Sequence, residues 1–123
     1  MRYVVQDGDT YQRIAAKLYG AWEIYMLIKE YNLFRALSPG MILEIPTPRT
    51  AEVTHIVGAG QKPGFHDLSR SYYQVEHFAE LLKSANPNVI PREGVRVRIP
   101  ALVPEATYRA AQRLYKDLMG IAA

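Results

Sequence analysis

Apolar residues in the first half of the chain repeat first with the period of a strand and then with that of a helix. The run Tyr-Val-Val at residues 3–5 enters an Asp-Gly-Asp-Thr turn, and residues 11–20 then place Ile14 and Leu18 on one helical face. Thr10 stands directly before this segment and is suited to cap the helix, because its hydroxyl can accept a backbone N–H of the first turn. The pattern predicts a short strand, a polar turn and a capped helix.

A second helical pattern follows over residues 21–31. Asn32 comes next and is predicted to end this helix in the left-handed region. A Ser-Pro-Gly turn then precedes a short strand at residues 41–45, which Pro46 stops. The first 46 residues therefore predict the order strand, helix, helix, strand.

The second half of the chain repeats the first. From residue 11 onward the two copies are offset by the 54 residues that separate Pro46 from Pro100, whereas at the first strand Val5 matches Val57, an offset of 52. The second copy thus carries two extra residues in its first turn, where Gly-Ala-Gly-Gln-Lys-Pro-Gly replaces Gln-Asp-Gly-Asp-Thr. Identical pairs at the larger offset include Tyr19/Tyr73, Leu27/Leu81, Lys29/Lys83, Asn32/Asn86, Gly40/Gly94, Ile45/Ile99 and Pro46/Pro100. A fixed period with matched turns indicates duplicated modules.

The sequence therefore predicts an α+β protein. Two small β-α-α-β modules occupy residues 1–48 and 53–101, and an amphipathic helix follows at residues 104–120. The two strands of each module are expected to pair, with both helices on one face of that small sheet. The order of elements leaves open whether the paired strands run parallel or antiparallel.

The segment at residues 104–120 has the most regular helical pattern of the chain. Its apolar side chains form one wide face: Tyr108, Ala111, Leu114, Tyr115, Leu118 and Met119. One interpretation is that this face packs across the two modules. The other is that it docks into another protein or into a second copy of the chain. In that case the interface residues are Tyr108, Leu114, Tyr115 and Leu118.

Composition narrows the classes of function. The chain has 123 residues, a net charge of +3 and no cysteine. The lack of cysteine excludes disulfides, thiol catalysis and cysteine-ligated metal, and the mild charge falls short of a nucleic-acid-binding signature. No segment has the apolar length of a membrane span and the start lacks a signal peptide, so we expect cytoplasmic synthesis and no membrane insertion.

A strand near the end of the second module alternates apolar and basic residues. Val97 and Ile99 are predicted to face inward and Arg96 and Arg98 outward, with Arg92 close by. This basic patch is either a solvated strand edge or a contact for an acidic protein surface. It lacks interleaved aromatic residues, so nucleic acid is not the expected partner.

Few other residues suggest chemistry. Trp22, the only tryptophan, is expected in the core or an interface, and the alternative is stacking on a sugar. His55, His66 and His77 recur every eleven residues but lack the i, i+4 spacing of helical metal ligands, so no metal site is expected. The chain has no nucleophile elbow, phosphate loop or placed carboxylate pair, and we expect neither catalysis nor a cofactor.

Residues 3–46 closely resemble the LysM module. The resemblance rests on the Gly-Asp-Thr turn, the Asn that ends the second helix and the closing Pro-Gly-Met-Ile-Leu-Glu-Ile-Pro. Residues 54–100 resemble a second, divergent LysM module, which keeps Asn-Pro at 86–87 and the closing Gly-Val-Arg-Val-Arg-Ile-Pro but lacks Gly-Asp-Thr. The resemblance implies a β-α-α-β fold and binding to chains that contain N-acetylglucosamine, such as peptidoglycan or chitin.

The resemblance also implies a glycan groove between the first strand–helix turn and the loop after the second helix. The corresponding residues are Gly8, Asp9, Thr10, Tyr11, Tyr31, Asn32, Leu33 and Phe34. Asp9 and Thr10 are equally suited to stabilise the turn and the helix start without a ligand. The longer, proline-containing turn of the second module makes a glycan site there unexpected.

Two functions follow from the resemblance. LysM-like proteins also serve as small structural parts of contractile phage tails and related injection machines, where they tie the tube or spike to the baseplate. The missing signal peptide and enzyme domain, the altered second turn and the extra helix favour such a non-catalytic adaptor, a virion or injection-particle component that contacts other structural proteins. The intact Gly-Asp-Thr turn favours the alternative, a peptidoglycan-binding module.

Overall fold

The computed structural model describes the backbone of residues 1–119 and the side chains of residues 1–115. The protein is a mixed α+β structure with two compact units. Residues 1–50 and 102–119 form the first unit, and residues 51–101 form the second. In chain order the elements are β1 (Arg2–Val4), α1 (Tyr11–Tyr19), a 3₁₀ turn (Trp22–Ile24), α2 (Tyr25–Tyr31), β2 (Ile42–Glu44), β3 (Val53–Ile56), α3 (Phe65–Tyr73), α4 (Ala79–Ala85), β4 (Arg96–Ile99) and α5 (Glu105–Met119).

The first helix begins and ends as its sequence predicts. The Thr10 hydroxyl accepts a hydrogen bond from the backbone N–H of Arg13 at 3.1 Å, and Gly20 closes the helix at φ 73°. The second helical segment differs from the prediction at its start. Ala21 offers no capping side chain, and the chain first forms the tighter 3₁₀ turn before α2 begins.

Each unit contains one antiparallel two-stranded sheet, which resolves the strand direction that the sequence left open. In the first unit Tyr3 lies opposite Leu43, and in the second His55 lies opposite Val97. Tyr3, Leu43 and Val97 are buried while their neighbours along the strands are exposed, so each sheet has one covered face. Such small sheets are stable only when packed against helices.

Asn32 is buried and joins α2 to β2. Its amide nitrogen donates to the carbonyl oxygens of Ile28 and Glu44, both at 2.8 Å, and its amide oxygen accepts from the Glu44 N–H at 3.0 Å. The predicted left-handed conformation is wrong for this residue, whose φ is −99°. The Asn32 side chain makes its three hydrogen bonds from this right-handed backbone. The left-handed turn falls on the next two residues, Leu33 and Phe34.

Asn86 repeats this bridge in the second unit. Its amide nitrogen donates to the carbonyl oxygens of Leu82 at 2.8 Å and Arg98 at 2.9 Å, and its amide oxygen accepts from the Arg98 N–H at 2.7 Å. The same three contacts at the same positions of both modules explain why an asparagine stands at this point of the repeat. An isolated buried amide would be costly, and here each polar atom has a partner.

Helix α5 packs against α1 within the first unit. The Tyr115 ring lies 6.1 Å from the Tyr3 ring, and Gln112 Nε2 donates to the carbonyl oxygen of Leu18 at 2.6 Å. At the end of α1 the backbone approaches closely, since a Cβ on Gly20 would stand 2.9 Å from Thr107 Cγ2. Gly120, where the predicted helix ends, lies outside the described residues. Within the described chain, no helix combines the length and the hydropathy of a membrane span.

Removal of the asparagine bridge is expected to unfold the module that contains it more easily. Asn32→Ala removes the partners of the Glu44 N–H and the Glu44 carbonyl oxygen, whereas the Ile28 carbonyl oxygen keeps the backbone N–H of residue 32. The free energy of unfolding of the first unit should therefore fall by about 2–4 kcal/mol. Amide hydrogen exchange at Ile14 and Leu18 measures this fall. Gln12→Ala, an exposed change on α1, should alter it by less than about 0.5 kcal/mol. Equal protection in wild type and Asn32→Ala would show that the bridge is dispensable.

Candidate functional site

On the first side of the predicted glycan groove, the polar side chains make hydrogen bonds within the fold. Asp9 Oδ2 accepts hydrogen bonds from the Tyr3 hydroxyl at 2.6 Å and from the Gln6 N–H at 2.8 Å. Lys17 Nζ donates to the Tyr3 hydroxyl at 2.8 Å and lies 3.8 Å from Asp9 Oδ1. The carboxylate therefore holds the first turn against β1 and α1, and Thr10 caps α1.

The remaining residues on this side offer little to a ligand. Tyr11 is buried, and its hydroxyl donates to the carbonyl oxygen of Arg35 at 2.6 Å. Gly8 takes a left-handed backbone at φ 81°, and its carbonyl oxygen accepts from Arg13 Nη1 at 2.8 Å. The turn thus has the geometry expected for a structural turn and helix cap, which was one of the two interpretations of its sequence.

The second side of the groove divides into a buried amide and an exposed apolar loop. Asn32 has its amide engaged in the bridge to β2. The apolar loop consists of Tyr31, Leu33 and Phe34, which are 42%, 81% and 54% exposed. The groove residues predicted from the sequence therefore all belong to the first unit. Their polar side chains are engaged in the fold, and the large exposed side chains, those of Tyr31, Leu33 and Phe34, are largely apolar.

Leu33 and Phe34 also have strained backbones. Their φ angles are 59° and 58°, in a region that bulky residues avoid because the Cβ crowds the following carbonyl, at about 1–2 kcal/mol per residue. The N–H of Phe34 donates to the carbonyl oxygen of Lys29 at 2.9 Å and closes α2. At the matching positions of the second unit stand Pro87 and Asn88, and only Asn88 is left-handed, a conformation asparagine tolerates well.

Buried tyrosines set the electrostatics of the first unit. Burial raises the pKa of the Tyr3 phenol far above its ordinary value, and the hydrogen bond to the Asp9 carboxylate raises it further. Burial likewise raises the pKa of Tyr19, whose hydroxyl donates to the carbonyl oxygen of Pro46 at 2.6 Å. Both phenols are neutral donors at ordinary pH, and neither is a nucleophile or base.

The basic patch of the second unit is smaller than its sequence suggests. Arg96 and Arg98 project outward from β4 and Val97 and Ile99 inward, as the alternation predicts. Arg98 Nη2, however, bonds Glu52 Oε1 at 2.7 Å, and this hydrogen bond lowers the pKa of the Glu52 carboxyl. Arg92 and Arg96 remain exposed, so the patch for an acidic partner reduces to these two residues.

The interface residues predicted on α5 are mostly internal contacts. Tyr115 is buried against Tyr3, and the ring of Tyr108 lies 6.2 Å from that of Tyr19, so both stabilise the first unit rather than face a partner. Leu114 is 57% exposed and lines a groove of about 760 Å³ between α1 and α5, which the sequence did not predict. The side chain of Leu118 lies outside the described residues.

The tryptophan and the histidines have local roles. Trp22 is 55% exposed, which excludes the core from its two expected places and leaves an interface, or the alternative of stacking on a sugar, as predictions. His55 Nδ1 lies 2.6 Å from the Tyr72 hydroxyl, and His77 packs edge-on against Phe78. Among residues 1–115 no three acidic or histidine side chains gather as metal ligands.

A further concave site, in the second unit, was also missed by the sequence analysis. A pocket of about 460 Å³ in the second unit, here called the α3 pocket, is lined by His55, Lys62, Ser71 and Tyr72, among others. The only sequence signal for it is the two-residue insertion in the turn before α3. No protein-family model matches the chain, and no curated protein is significantly similar to it.

The strain in the apolar loop makes a specific prediction. Phe34→Gly should leave the first unit about 1 kcal/mol more stable than Phe34→Ala does, because glycine adopts a positive φ without the Cβ clash. The matched pair at Tyr31, which is helical, should show the opposite order, with glycine less stable than alanine by up to about 1 kcal/mol. Urea unfolding of the four variants measures both differences. The same order at both positions would mean that Phe34 is not strained.

The raised tyrosine pKa values predict a loss of stability in alkali. A phenol whose folded pKa lies above its unfolded value of about 10 contributes fully below that pH, and its contribution falls as the pH rises through the folded pKa. The free energy of unfolding of the first unit should therefore decline above about pH 10. Tyr19→Phe should flatten this decline by up to about 1.4 kcal/mol per pH unit. Identical pH slopes for Tyr19→Phe and wild type would contradict the assignment.

Proposed function

We propose that the protein is a non-catalytic adaptor built from two LysM-like modules. The support for the LysM-like assignment is the β-α-α-β order of each module, the Gly-Asp-Thr turn and the asparagine after the second helix. The observation that carries the adaptor function is the apolar loop. Leu33 and Phe34 are both strained and exposed. Their left-handed backbone closes α2, but this turn needs no bulky apolar side chains, and a partner that covers the two side chains accounts for them.

The character of this surface favours a protein partner over a glycan. Recognition of acetamido sugars needs polar groups placed beside a flat apolar surface. In the first unit Asp9, Thr10 and Asn32 hold the fold with their side chains, and Leu33 and Phe34, which follow Asn32, expose apolar side chains. Apolar and aromatic anchors are typical of protein interfaces.

The partner class we propose is a structural protein of a contractile phage tail or a related injection system. In that setting the modules link the tube or spike to the baseplate. The helix α5, which is fused onto the first module, and the altered turn of the second module fit a structural part better than a free glycan binder. The protein is then a virion or injection-particle component, and Arg92 and Arg96 offer a second contact for an acidic neighbour.

Peptidoglycan binding is the second candidate. It is favoured by the Gly-Asp-Thr turn and by a shallow depression of about 270 Å³ beside Tyr31, Leu33 and Arg35. A sugar ring could rest on the apolar loop there, with the Arg35 guanidinium as a hydrogen-bond donor. Such a site has few polar contacts and would bind a single glycan unit weakly.

The adaptor proposal is tested by deletion of the gene and complementation with variants of the full chain. The double change Leu33→Gly and Phe34→Gly removes the apolar loop while relieving its strain, and it should abolish the assembly of sheathed particles seen by electron microscopy. Ile90→Gly, which removes an exposed apolar side chain from the second unit, is the matched control and should support assembly. Normal particles in the deletion strain would show that the adaptor proposal is wrong.

A sedimentation assay with insoluble peptidoglycan separates the two functions. On the adaptor proposal the purified wild type should remain in the supernatant. Retention of the wild type, with loss of retention in the double glycine variant, would favour the glycan-binding alternative. Retention of both proteins would place any glycan contact away from the apolar loop.

A further inference from the structure

The face formed by the first strand and the first helix differs between the two modules. In the first unit, the face formed by β1 and α1 is covered by α5, with Tyr115 on Tyr3 and Gln112 bonded to the carbonyl oxygen of Leu18. The repeat places His55 at the position of Tyr3 and Tyr72 at the position of Leu18. In the second unit this face forms the α3 pocket.

The inserted turn builds the rim of the α3 pocket. Residues 61–63 line it, and the turn is held in place by its own hydrogen bonds. The Gly58 N–H donates to Gln61 Oε1 at 3.1 Å, and the Gly64 N–H donates to Asp67 Oδ2 at 2.9 Å. The volume of about 460 Å³ lies within the range of small-molecule sites. The inserted turn, which distinguishes the second module from the first, thus forms part of the wall of the α3 pocket.

A helix that packed on this face as closely as α5 packs on α1 would not fit. In the first unit the close approach depends on Gly20, because a Cβ there would stand 2.9 Å from Thr107 Cγ2. The matching residue of the second unit is Gln74, which has nearly the same backbone, at φ 71°, but carries a side chain. His55 and Ser71, both smaller side chains, also replace Tyr3 and Lys17 on this face. These changes favour a small polar occupant over a helix.

The lining combines flat rings with polar groups. His55 Nδ1 lies 2.6 Å from the Tyr72 hydroxyl, and the two rings meet edge to face with centroids 5.4 Å apart. Together with Pro63 they offer an apolar surface on which a ring can rest. The Ser71 hydroxyl stands beside them as a donor and acceptor.

The lining of the α3 pocket contains one cation, Lys62, and one anion, Asp67. Lys62 lies at the rim and makes no ion pair within residues 1–115. The Asp67 carboxylate accepts from the Gly64 N–H at 2.9 Å and lies 3.7 Å from Arg70 Nη1, and Arg70 also pairs with Glu76. An anionic group on a ligand would pair with Lys62, the cation of the lining.

We propose that the α3 pocket binds a small ligand made of a six-membered ring that carries a carboxylate. The ring rests against Tyr72 and Pro63, and the carboxylate pairs with Lys62. The proposal concerns the second module alone and does not depend on the adaptor function.

The test is an NMR titration of the full chain with two such ligands, sodium benzoate and sodium glucuronate. Acetate and methyl glucoside are the matched probes, since one carries only the carboxylate and the other only the ring. Saturable shifts at His55, Ser71 and Tyr72 are expected with a Kd in the millimolar range, because the pocket is open and its polar contacts are few. Saturation by benzoate alone identifies an aromatic acid, and saturation by glucuronate identifies a sugar acid.

Two variants locate the contacts. Lys62→Gln should weaken binding about tenfold, the effect of losing one charge-assisted hydrogen bond. Lys83→Gln makes the same chemical change on α4 and should leave the affinity unchanged. Tyr72→Leu installs the residue that the first module has at this position and should abolish binding while the second unit stays folded, as its amide spectrum will show. No saturable shift with either acid, equal shifts with acetate, or unchanged affinity in both Lys62→Gln and Tyr72→Leu would overturn the proposal.

Discussion

A buried asparagine side chain ties the end of the second helix to the second strand in each module. Each sheet has only two strands, and the helices α1 to α4 have only two or three turns each, so these elements would not persist without such a connection. The amide of Asn32 reaches both elements because it donates twice and accepts once, a combination that no carboxylate or hydroxyl of similar size offers. By fixing where α2 ends, it also fixes where the strained apolar loop begins.

Duplication of this module has produced two units with one scaffold and different surfaces. In the first unit α5 covers the face of β1 and α1 and buries Tyr3 completely. In the second unit the corresponding face carries His55 and Tyr72 and forms the α3 pocket. The two units share the asparagine bridge and the apolar core around it. They differ in what covers the face formed by the first strand and the first helix of each module. A small change in the turn, two inserted residues, accompanies this divergence.

The polar residues that suggest sugar binding in the sequence are largely occupied by the fold. Asp9 accepts from Tyr3 and Gln6, and its pairing with Lys17 makes the Gly-Asp-Thr turn part of a buried network. The first unit instead exposes Leu33 and Phe34, at a backbone cost that a helix end with glycine would avoid. This contrast is the physical ground for preferring a protein contact to a glycan contact in the proposed function.

Local signals determined much of this protein from sequence alone. The Thr10 cap, the Gly20 helix end, the alternation of β4 and the repeat depend on residues near one another in the chain, and all are found where the sequence places them. The packing of α5 on α1, the internal roles of Asp9 and Asn32, and the exposure of Trp22 and Leu114 were decided only by the tertiary structure. Each of these features depends on partners that are distant in sequence. The spacing of apolar and polar residues along the chain is the same whether a side chain packs inside its unit or contacts another molecule, so the sequence alone does not separate the two cases. The strained loop belongs to the same group, because Leu33 and Phe34 become left-handed only once α2 has to end at the asparagine that β2 holds in place.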